Sequence, residues 1–178
     1  MKKILVVVDM QNDFITGNLG TKEACAIVDR VKEKIEQYIK KDWEVVFTRD
    51  THTEEYLTTQ EGKYLPVIHC VKNTEGWQII PQIQKFTEGR KIFDKPSFGS
   101  MELARYIQEG RYEQAEFIGV CTDICVVSNA LLTKTYVPEA EIFIDTDCCA
   151  GVTPESHNSA ICTMKMCQIQ IKNKNNIK

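Results

Sequence analysis

Short continuous apolar runs alternate along this chain with longer stretches that carry a single apolar face. Residues 4–8 are five consecutive aliphatic side chains, which is typical of a strand buried on both faces of a parallel sheet. Shorter runs predict further strands at 43–48, 91–94, 115–118, 142–144 and 167–171. Apolar positions three or four residues apart predict helices over 21–41, 100–109 and 126–132, a last helix from 153, and a short one within 77–86 that Pro81 limits.

This alternation of strand and helix predicts an α/β fold, a Rossmann-like three-layer sandwich. We expect a mostly parallel six-stranded sheet with helices on both faces. The pattern covers one domain over residues 1–172, followed by a Lys- and Asn-rich tail over 173–178 that we expect to be frayed. Residues 51–76 form a polar connection without periodicity. A connection of that length inside a compact domain usually has a functional reason.

Composition narrows the class of protein but does not identify its chemistry. The 178 residues are 43% hydrophobic and 26% charged, as in ordinary globular domains. A net charge of −3 gives no reason to expect a nucleic acid or an anionic membrane as partner. No apolar run is long enough to span a bilayer, so we expect a cytoplasmic protein. The eight cysteines lack the spacing of metal fingers or redox pairs, and we expect six or seven of them to be reduced, buried and structural.

Several residues that can carry chemistry lie at or just beyond the predicted carboxyl ends of strands. In doubly wound sheets, ligands bind at that edge, so residues from separate strands meet there. We therefore expect one site containing these five residues: Asp9, Asp50, His52, Lys95 and Cys125.

Cys125 lies between the fourth predicted strand and the helix that follows. Unpaired N–H groups and the helix dipole favour a thiolate at such a position, and the thiolate is the nucleophile. Asp9 can accept the thiol proton, and Lys95 can keep that carboxylate ionised. Backbone N–H groups of Cys121 and Cys125 can form an oxyanion hole. The alternatives are that Asp9 caps a loop, Lys95 is a solvated lysine and Cys125 only fills space under a helix.

Asp50 and His52 offer two metal ligands on one extended segment, and His69 can complete the set across the long loop. A carboxylate with two imidazoles suits one divalent metal ion, such as Zn, Fe or Mn. Glu61 is a possible fourth ligand. A surface Asp-x-His is common without any metal, so this pattern alone leaves the question open. His157 is interpreted as a surface or capping residue.

Six segments of the chain, taken together and in order, resemble the isochorismatase-like cysteine hydrolases, and within them the nicotinamidase/pyrazinamidase branch. The segments are VVVDMQNDF (6–14), TRDTH (48–52), LPVIHCVKNTEGW (65–77), KPSFGS (95–100), GVCTDICV (119–126) and CAGVTPESH (149–157). Isochorismatases and N-carbamoylsarcosine-type amidases generally lack the Asp-x-His…His set. The metal motif is therefore what favours the nicotinamidase branch.

The resemblance implies a catalytic triad of Asp9, Lys95 and Cys125 and a cis peptide before Cys121. It also implies that Asp50, His52 and His69 hold a divalent metal that binds the pyridine nitrogen and orients the carboxamide toward the cysteine. The implied activity is deamination of nicotinamide to nicotinate and ammonia in NAD salvage, through a cysteine thioester. The expected partner is a small-molecule amide, and the protein is expected to be a homo-oligomer.

The sequence departs from the branch at the wall of the substrate pocket. Leu65 occupies the position where nicotinamidases usually place an aromatic residue that stacks on the ring, although Tyr64 is adjacent and Phe14 can supply the opposite wall. Asn73 replaces a glycine. Leu65 motivates one alternative, a hydrolase of another small amide, ureido or carbamoyl compound. A further alternative of a different class is a catalytically silent binding or scaffold protein on the same fold.

Overall fold

A computed structural model describes residues 1–173. Apart from residue 173, the tail that was expected to be frayed lies outside the described residues. The strands are β1 (Lys3–Val8), β2 (Glu44–Asp50), β3 (Ile92–Lys95), β4 (Gln114–Val120), β5 (Glu141–Ala150) and β6 (Gln170–Lys172). The helices are α1 (Asn12–Ile15), α2 (Lys22–Lys40), α3 (Gln60–Tyr64), α4 (Pro81–Gln84), α5 (Met101–Glu109), α6 (Val127–Tyr136) and α7 (Pro154–Met166). A 3-10 turn spans Tyr56–Thr58, and a π turn spans Thr122–Val126.

The six strands form one sheet in the order β3-β2-β1-β4-β5-β6, and every neighbouring pair is parallel. Strands β2 and β3 are therefore added on one side of β1, and β4, β5 and β6 on the other, so the strand order reverses between β1 and β4. Because parallel crossovers are right-handed, helices before and after this reversal cover opposite faces of the sheet. Helix α2 packs on β1, β2, β4 and β5, whereas α5, α6 and α7 pack on one another. The expected three-layer α/β sandwich is confirmed.

The long helices form where their caps and apolar stripes predict. Helix α2 begins after Thr21, whose hydroxyl accepts from the Ala24 N–H at 3.0 Å. Helix α5 begins after Ser100, which accepts from Leu103 in the same way. Helix α7 begins with a reciprocal capping box between Thr153 and Ser156.

Several predicted boundaries are wrong. Strand β2 continues to Asp50 and β3 to Lys95, so both residues end their strands instead of following them. The segment 77–86 is helical only over Pro81–Gln84, because proline is favoured in the first turn and what precedes it is extended. Strand β6 begins three residues later than predicted, since Cys167 ends helix α7.

The two central strands approach closely where β4 ends. Gly119 has φ +112°, and a Cβ there would collide with the carbonyl oxygen of Val8 on β1. Only glycine fits this conformation and this contact. The loops that follow β1 and β4 are therefore brought side by side.

The expectation for the cysteines is only partly correct. Cys25, Cys162 and Cys167 are exposed, so at most five of the eight have the buried character that was expected. All eight are free thiols. Within residues 1–173, no helix combines the length and the apolar character needed to cross a membrane.

Candidate active site

The reversal between β1 and β4 creates the crevice where doubly wound sheets bind ligands. Asp9 follows β1, and Cys125 lies in the π turn that follows β4. Lys95 comes from the far edge strand β3, and its side chain is long enough to pass Asp50 and reach this crevice. The structure thus brings together the three residues that the resemblance implies as a triad.

The ammonium group of Lys95 is the centre of a group that we call the Lys95 cluster, which also contains Asp9, Asp50 and Cys125. Its Nζ lies 2.7 Å from Asp9 Oδ2, 3.3 Å from Cys125 Sγ and 3.2 Å from Asp50 Oδ1. Lys95 and Asp9 are almost fully buried. Because a buried charge is tolerated only with partners, this single cation holds two carboxylates and one sulfur in place.

Burial and charge shift the acid–base equilibria of the cluster in different directions. Burial raises the pKa of Asp9, and the attraction of Lys95 only partly offsets that shift. Burial alone would lower the pKa of Lys95, but Asp9, Cys125 and Asp50 raise it well above its ordinary value. Burial also raises the pKa of Asp50, but hydrogen bonds with His52 and His69 outweigh it and bring that pKa well below its ordinary value. Lys95 is therefore a permanent cation, while Asp9 is poised to exchange a proton.

The pKa of the Cys125 thiol differs from the expectation. The helix-dipole argument favours a thiolate, yet burial and the neighbouring Asp9 carboxylate raise the pKa of Cys125 well above its ordinary value. The reason is that Cys125 sits within a π turn under the first residues of α6, where desolvation outweighs the dipole. Its ionisation therefore requires an adjacent proton acceptor, and Asp9 occupies that position.

Asp50, His52, Glu61 and His69 form a second cluster that shares Asp50 with the first. One ligand atom from each residue lies within 4.8 Å of the others. Asp50 Oδ2 is 2.8 Å from His52 Nε2 and 3.4 Å from His69 Nε2. Glu61 Oε1 is 3.7 Å from His52 Nε2 and 4.0 Å from His69 Nε2.

The donor set fits a divalent metal ion on two grounds. His69 Nδ1 lies 2.7 Å from the carbonyl oxygen of Val67, which only accepts, so Nδ1 carries the proton and the lone pair of Nε2 faces the cluster. Two imidazoles and two carboxylates, largely shielded from water, are the ligands that Zn and Fe-type ions favour. Glu61, a tentative ligand from sequence alone, is placed with the other three.

Sequence reasoning missed three residues that hold this site. Tyr56 is fully buried, and its ring centroid lies 4.6 Å from that of His52 and 4.8 Å from that of His69. The side chain of Gln11 accepts from the N–H of Asp50 at 2.7 Å and donates to its carbonyl at 2.8 Å. Thr48 donates to Asp9 Oδ1 at 2.6 Å. The sequence signal for Gln11 and Thr48 was their place within the VVVDMQNDF and TRDTH segments.

Both clusters open on one cavity of about 210 Å³. Phe14 and Leu65, the predicted pocket residues, line it together with Cys121 and Cys125. Further apolar walls come from residues that were not predicted: Leu19, Ala24, Phe98, Ile124 and Val152. Tyr64 does not replace the missing aromatic wall, because it is 84% exposed and does not line the cavity.

The backbone around Cys121 has the form that the resemblance implies. The peptide bond between Val120 and Cys121 is cis. The N–H groups of Ile124 and Val126 donate to the carbonyl of Cys121 at 3.1 and 3.0 Å, which closes the π turn. The N–H groups of Cys121 and Cys125 belong to the segment that lines the cavity.

His157 is not the surface or capping residue that was expected. It is half-buried, and its Nδ1 lies 2.8 Å from the hydroxyl of Thr122, the first residue of the π turn. Burial lowers the pKa of His157. The reason for the error is tertiary: α7 packs its first turns against the turn that carries Cys125.

Comparison with known proteins places this geometry in a family. The isochorismatase domain model matches residues 3–174. The nicotinamidase of Saccharomyces cerevisiae is 27% identical over 80% of this chain and 86% of its own, and that of Escherichia coli K12 is 26% identical over 92% and 90%. A pyrazinamidase of Pyrococcus horikoshii, solved in complex with zinc, superposes with a TM-score of 0.83 at 29% identity, covering 97% of this chain and 99% of its own. The chain belongs to the isochorismatase family.

Proposed function

We propose that this protein is a cysteine amidohydrolase that deaminates nicotinamide to nicotinate and ammonia. The observation that carries the proposal is that the Lys95 cluster and the possible metal cluster share Asp50 and open on one small apolar cavity. A site with a thiol at its base, a cation beside it and a metal position on one wall suits a flat amide carrying a second ligand atom. Relatives named as nicotinamidases and a zinc-bound pyrazinamidase structure support this choice.

Acylation begins with the thiol of Cys125. Asp9 takes the thiol proton, and the sulfur attacks the carboxamide carbon to form a C–S bond. The N–H groups of Cys121 and Cys125 stabilise the oxyanion that develops; loss of one such donor costs about 3–4 kcal/mol of barrier in other enzymes. Asp9 then returns its proton to the nitrogen, the C–N bond breaks, and ammonia leaves behind a thioester.

Deacylation uses the same groups in reverse order. Asp9 removes a proton from an incoming water, whose oxygen attacks the thioester carbon. The C–S bond breaks, nicotinate leaves, and Cys125 recovers its proton from Asp9. Lys95 keeps its charge throughout, because its pKa is raised well above the ordinary value.

Asp50, His52, His69 and Glu61 would hold a divalent metal ion, for which Zn, Fe and Mn remain candidates. When bound, such an ion supplies a Lewis-acid position for the ring nitrogen of the substrate. The residues of this chain then orient the rest of the ring: Phe14, whose ring centroid lies 5.6 Å from that of His69, and Leu65 both line the cavity.

The test is ammonia release from nicotinamide by purified protein of known metal content. Cys125→Ala is expected to abolish release while the circular dichroism spectrum and metal content remain those of the parent. Full activity in this variant would exclude the mechanism. An inactive parent protein with a full complement of metal would exclude the function.

A second candidate keeps the chemistry and changes the substrate to another small amide, ureido or carbamoyl compound. It is favoured by Leu65, which gives that wall an aliphatic side chain, and by the exposed Tyr64. Turnover of nicotinamide, pyrazinamide and non-aromatic amides separates the two. A strong preference for a non-aromatic amide would select the second candidate.

A further inference from the structure

Asn129 is a buried amide that the proposed chemistry does not use. It lies on α6, one turn after Cys125, and is 1% exposed. Its Nδ2 donates to the carbonyl oxygens of Cys125 at 2.8 Å and of Phe98 at 3.1 Å, and its Oδ1 accepts from the N–H of Ser100 at 3.0 Å. Both ends of the carboxamide are therefore engaged, as burial of a polar group requires.

These hydrogen bonds join two parts of the site, whose other side-chain link among the described residues is the contact of Lys95 Nζ with Cys125 Sγ. Cys125 belongs to the π turn after β4, whereas Phe98 and Ser100 belong to the connection between β3 and α5. That connection starts at Lys95. Phe98 lines the cavity and is 42% exposed.

We propose that Asn129 is a positioning residue that fixes Phe98 as a wall of the substrate cavity relative to the Cys125 nucleophile. The inference rests on the proposed amidohydrolase function. With Leu65 on the neighbouring wall, Phe98 is an aromatic side chain placed to contact the flat face of a bound ring. Asn129 contacts neither the cavity nor the substrate and acts only through the backbone on either side of it.

Ser128 provides a matched control on the preceding residue. Its hydroxyl donates to the carbonyl of Ile124 at 2.6 Å, so it also binds the backbone of the π turn, but no hydrogen bond joins it to the loop that carries Phe98. Ser128→Ala removes a hydrogen bond between α6 and the π turn without uncoupling that loop. A role that is only structural predicts similar effects at positions 128 and 129.

Substitution by threonine separates the hydrogen bond to Cys125 from the hydrogen bonds to Phe98 and Ser100. A threonine in a helix can donate to the carbonyl four residues before it, which here is that of Cys125. It is too short to reach Phe98 and Ser100. Asn129→Thr therefore keeps the link to the nucleophile and loses the link to the wall, whereas Asn129→Ala loses both.

The experiment measures kcat and KM for nicotinamide in the metal-loaded protein. Phe98→Ala and Asn129→Thr are each expected to raise KM about tenfold with little change in kcat. Asn129→Ala is expected to raise KM equally and to lower kcat as well, while Ser128→Ala changes both less than twofold. The double variant Phe98→Ala/Asn129→Thr should match Phe98→Ala alone, because the asparagine acts through that wall. Additive effects in the double variant, or equal effects at 128 and 129, would overturn the inference.

A second readout keeps this inference distinct from the proposed function. If the parent protein releases no ammonia from any amide, the proposed function fails, and the rate of Cys125 alkylation by iodoacetamide is measured by peptide mass spectrometry. Asn129→Ala is then expected to change that rate more than fivefold and Ser128→Ala less than twofold. Equal rates in all three proteins would overturn the positioning role.

Discussion

Two charged clusters within residues 1–173 differ in how many cations serve the acids. In the Lys95 cluster, one ammonium serves Asp9, Asp50 and the thiol of Cys125. A second group, the Lys34 cluster, joins α2 to strands β4, β5 and β6, and its members pair two lysines with two carboxylates. They are Lys34, Glu116, Asp145 and Lys172.

Each carboxylate of the Lys34 cluster has a lysine partner, and this pairing decides the direction of the pKa shift of Glu116. Lys34 lies 3.0 Å from Glu116 and 2.6 Å from Asp145, while Lys172 lies 2.6 Å from Glu116. Burial raises the pKa of Glu116, but the two lysines outweigh it and lower that pKa overall. In the Lys95 cluster, burial wins and the pKa of Asp9 is raised. A shared cation leaves an acid able to exchange protons, whereas full pairing fixes every charge.

The largest expected difference between the clusters is in catalysis. Lys95→Met is expected to lower kcat/KM for nicotinamide by about 10³-fold, because the thiolate and the developing charges lose their only ammonium. Lys34→Met should change kcat/KM less than twofold, since no residue of that cluster lines the cavity. Steady-state ammonia release measures both. Comparable losses in the two variants would show that the Lys95 cluster serves stability and not chemistry.

For the free energy of unfolding, we expect the Lys34 cluster to matter more than the Lys95 cluster. Glu116→Gln should lower the free energy of unfolding by about 3 kcal/mol, because two lysines lose a buried partner. Asp9→Asn should change it by less than about 1 kcal/mol, since burial already disfavours that charge. Urea unfolding at pH 7, with metal removed from all samples, provides the comparison. An equal loss in Asp9→Asn would mean that its carboxylate is as well paired as that of Glu116.

A bound metal ion should stabilise the protein through the ligands that adjoin the Lys95 cluster, and the Lys34 cluster should not affect this gain. Zn²⁺ at one hundred times its dissociation constant is expected to add about 2.7 kcal/mol to the free energy of unfolding. His69→Ala should abolish this gain, Glu61→Gln should weaken binding about tenfold, and Lys34→Met should leave it unchanged. Thermal unfolding with and without Zn²⁺ measures each. A gain that survives His69→Ala would place the ion elsewhere.

The smallest expected effect is the pH dependence contributed by Glu116. Its native pKa is lowered, so its stabilising contribution is complete above its ordinary pKa and declines as pH falls through the native value. The stability difference between the parent protein and Glu116→Gln should therefore shrink as the pH falls from 7 to 3. Urea midpoints across this range measure it. A constant difference would show that Glu116 does not titrate as a paired carboxylate.

Most of the fold could be predicted because its signals are local. The aliphatic run of 4–8 defines the central strand, and caps such as Thr21 and Ser100 mark helix starts within a few residues. Boundaries near the site were less accurate. Strands β2 and β3 continue to Asp50 and Lys95, because pairing between neighbouring strands extends them past the last apolar residue.

The candidate site was predicted as a set of residues but not as an environment. Asp9, Lys95 and Cys125 lie at or just beyond the carboxyl ends of strands in one parallel sheet, so topology places them at the same edge. Their protonation equilibria depend on desolvation, and the degree of desolvation cannot be predicted from the sequence. The raised pKa of Cys125, contrary to the dipole argument, is the clearest case. Whether one cation serves one acid or three is likewise set by packing.

The sequence by itself determined the order of strands and helices, the identity of the candidate nucleophile and of its two candidate partners, and the ligand types available for a metal. These depend on residue identity at fixed places along a regular topology. Only the tertiary structure decided that Glu61 lies with the histidines, that Phe98 and not Tyr64 supplies an aromatic wall, and that Asn129 joins that wall to Cys125. Each of these contacts joins segments far apart in the chain, and local patterns carry no information about which distant side chains will share a buried space.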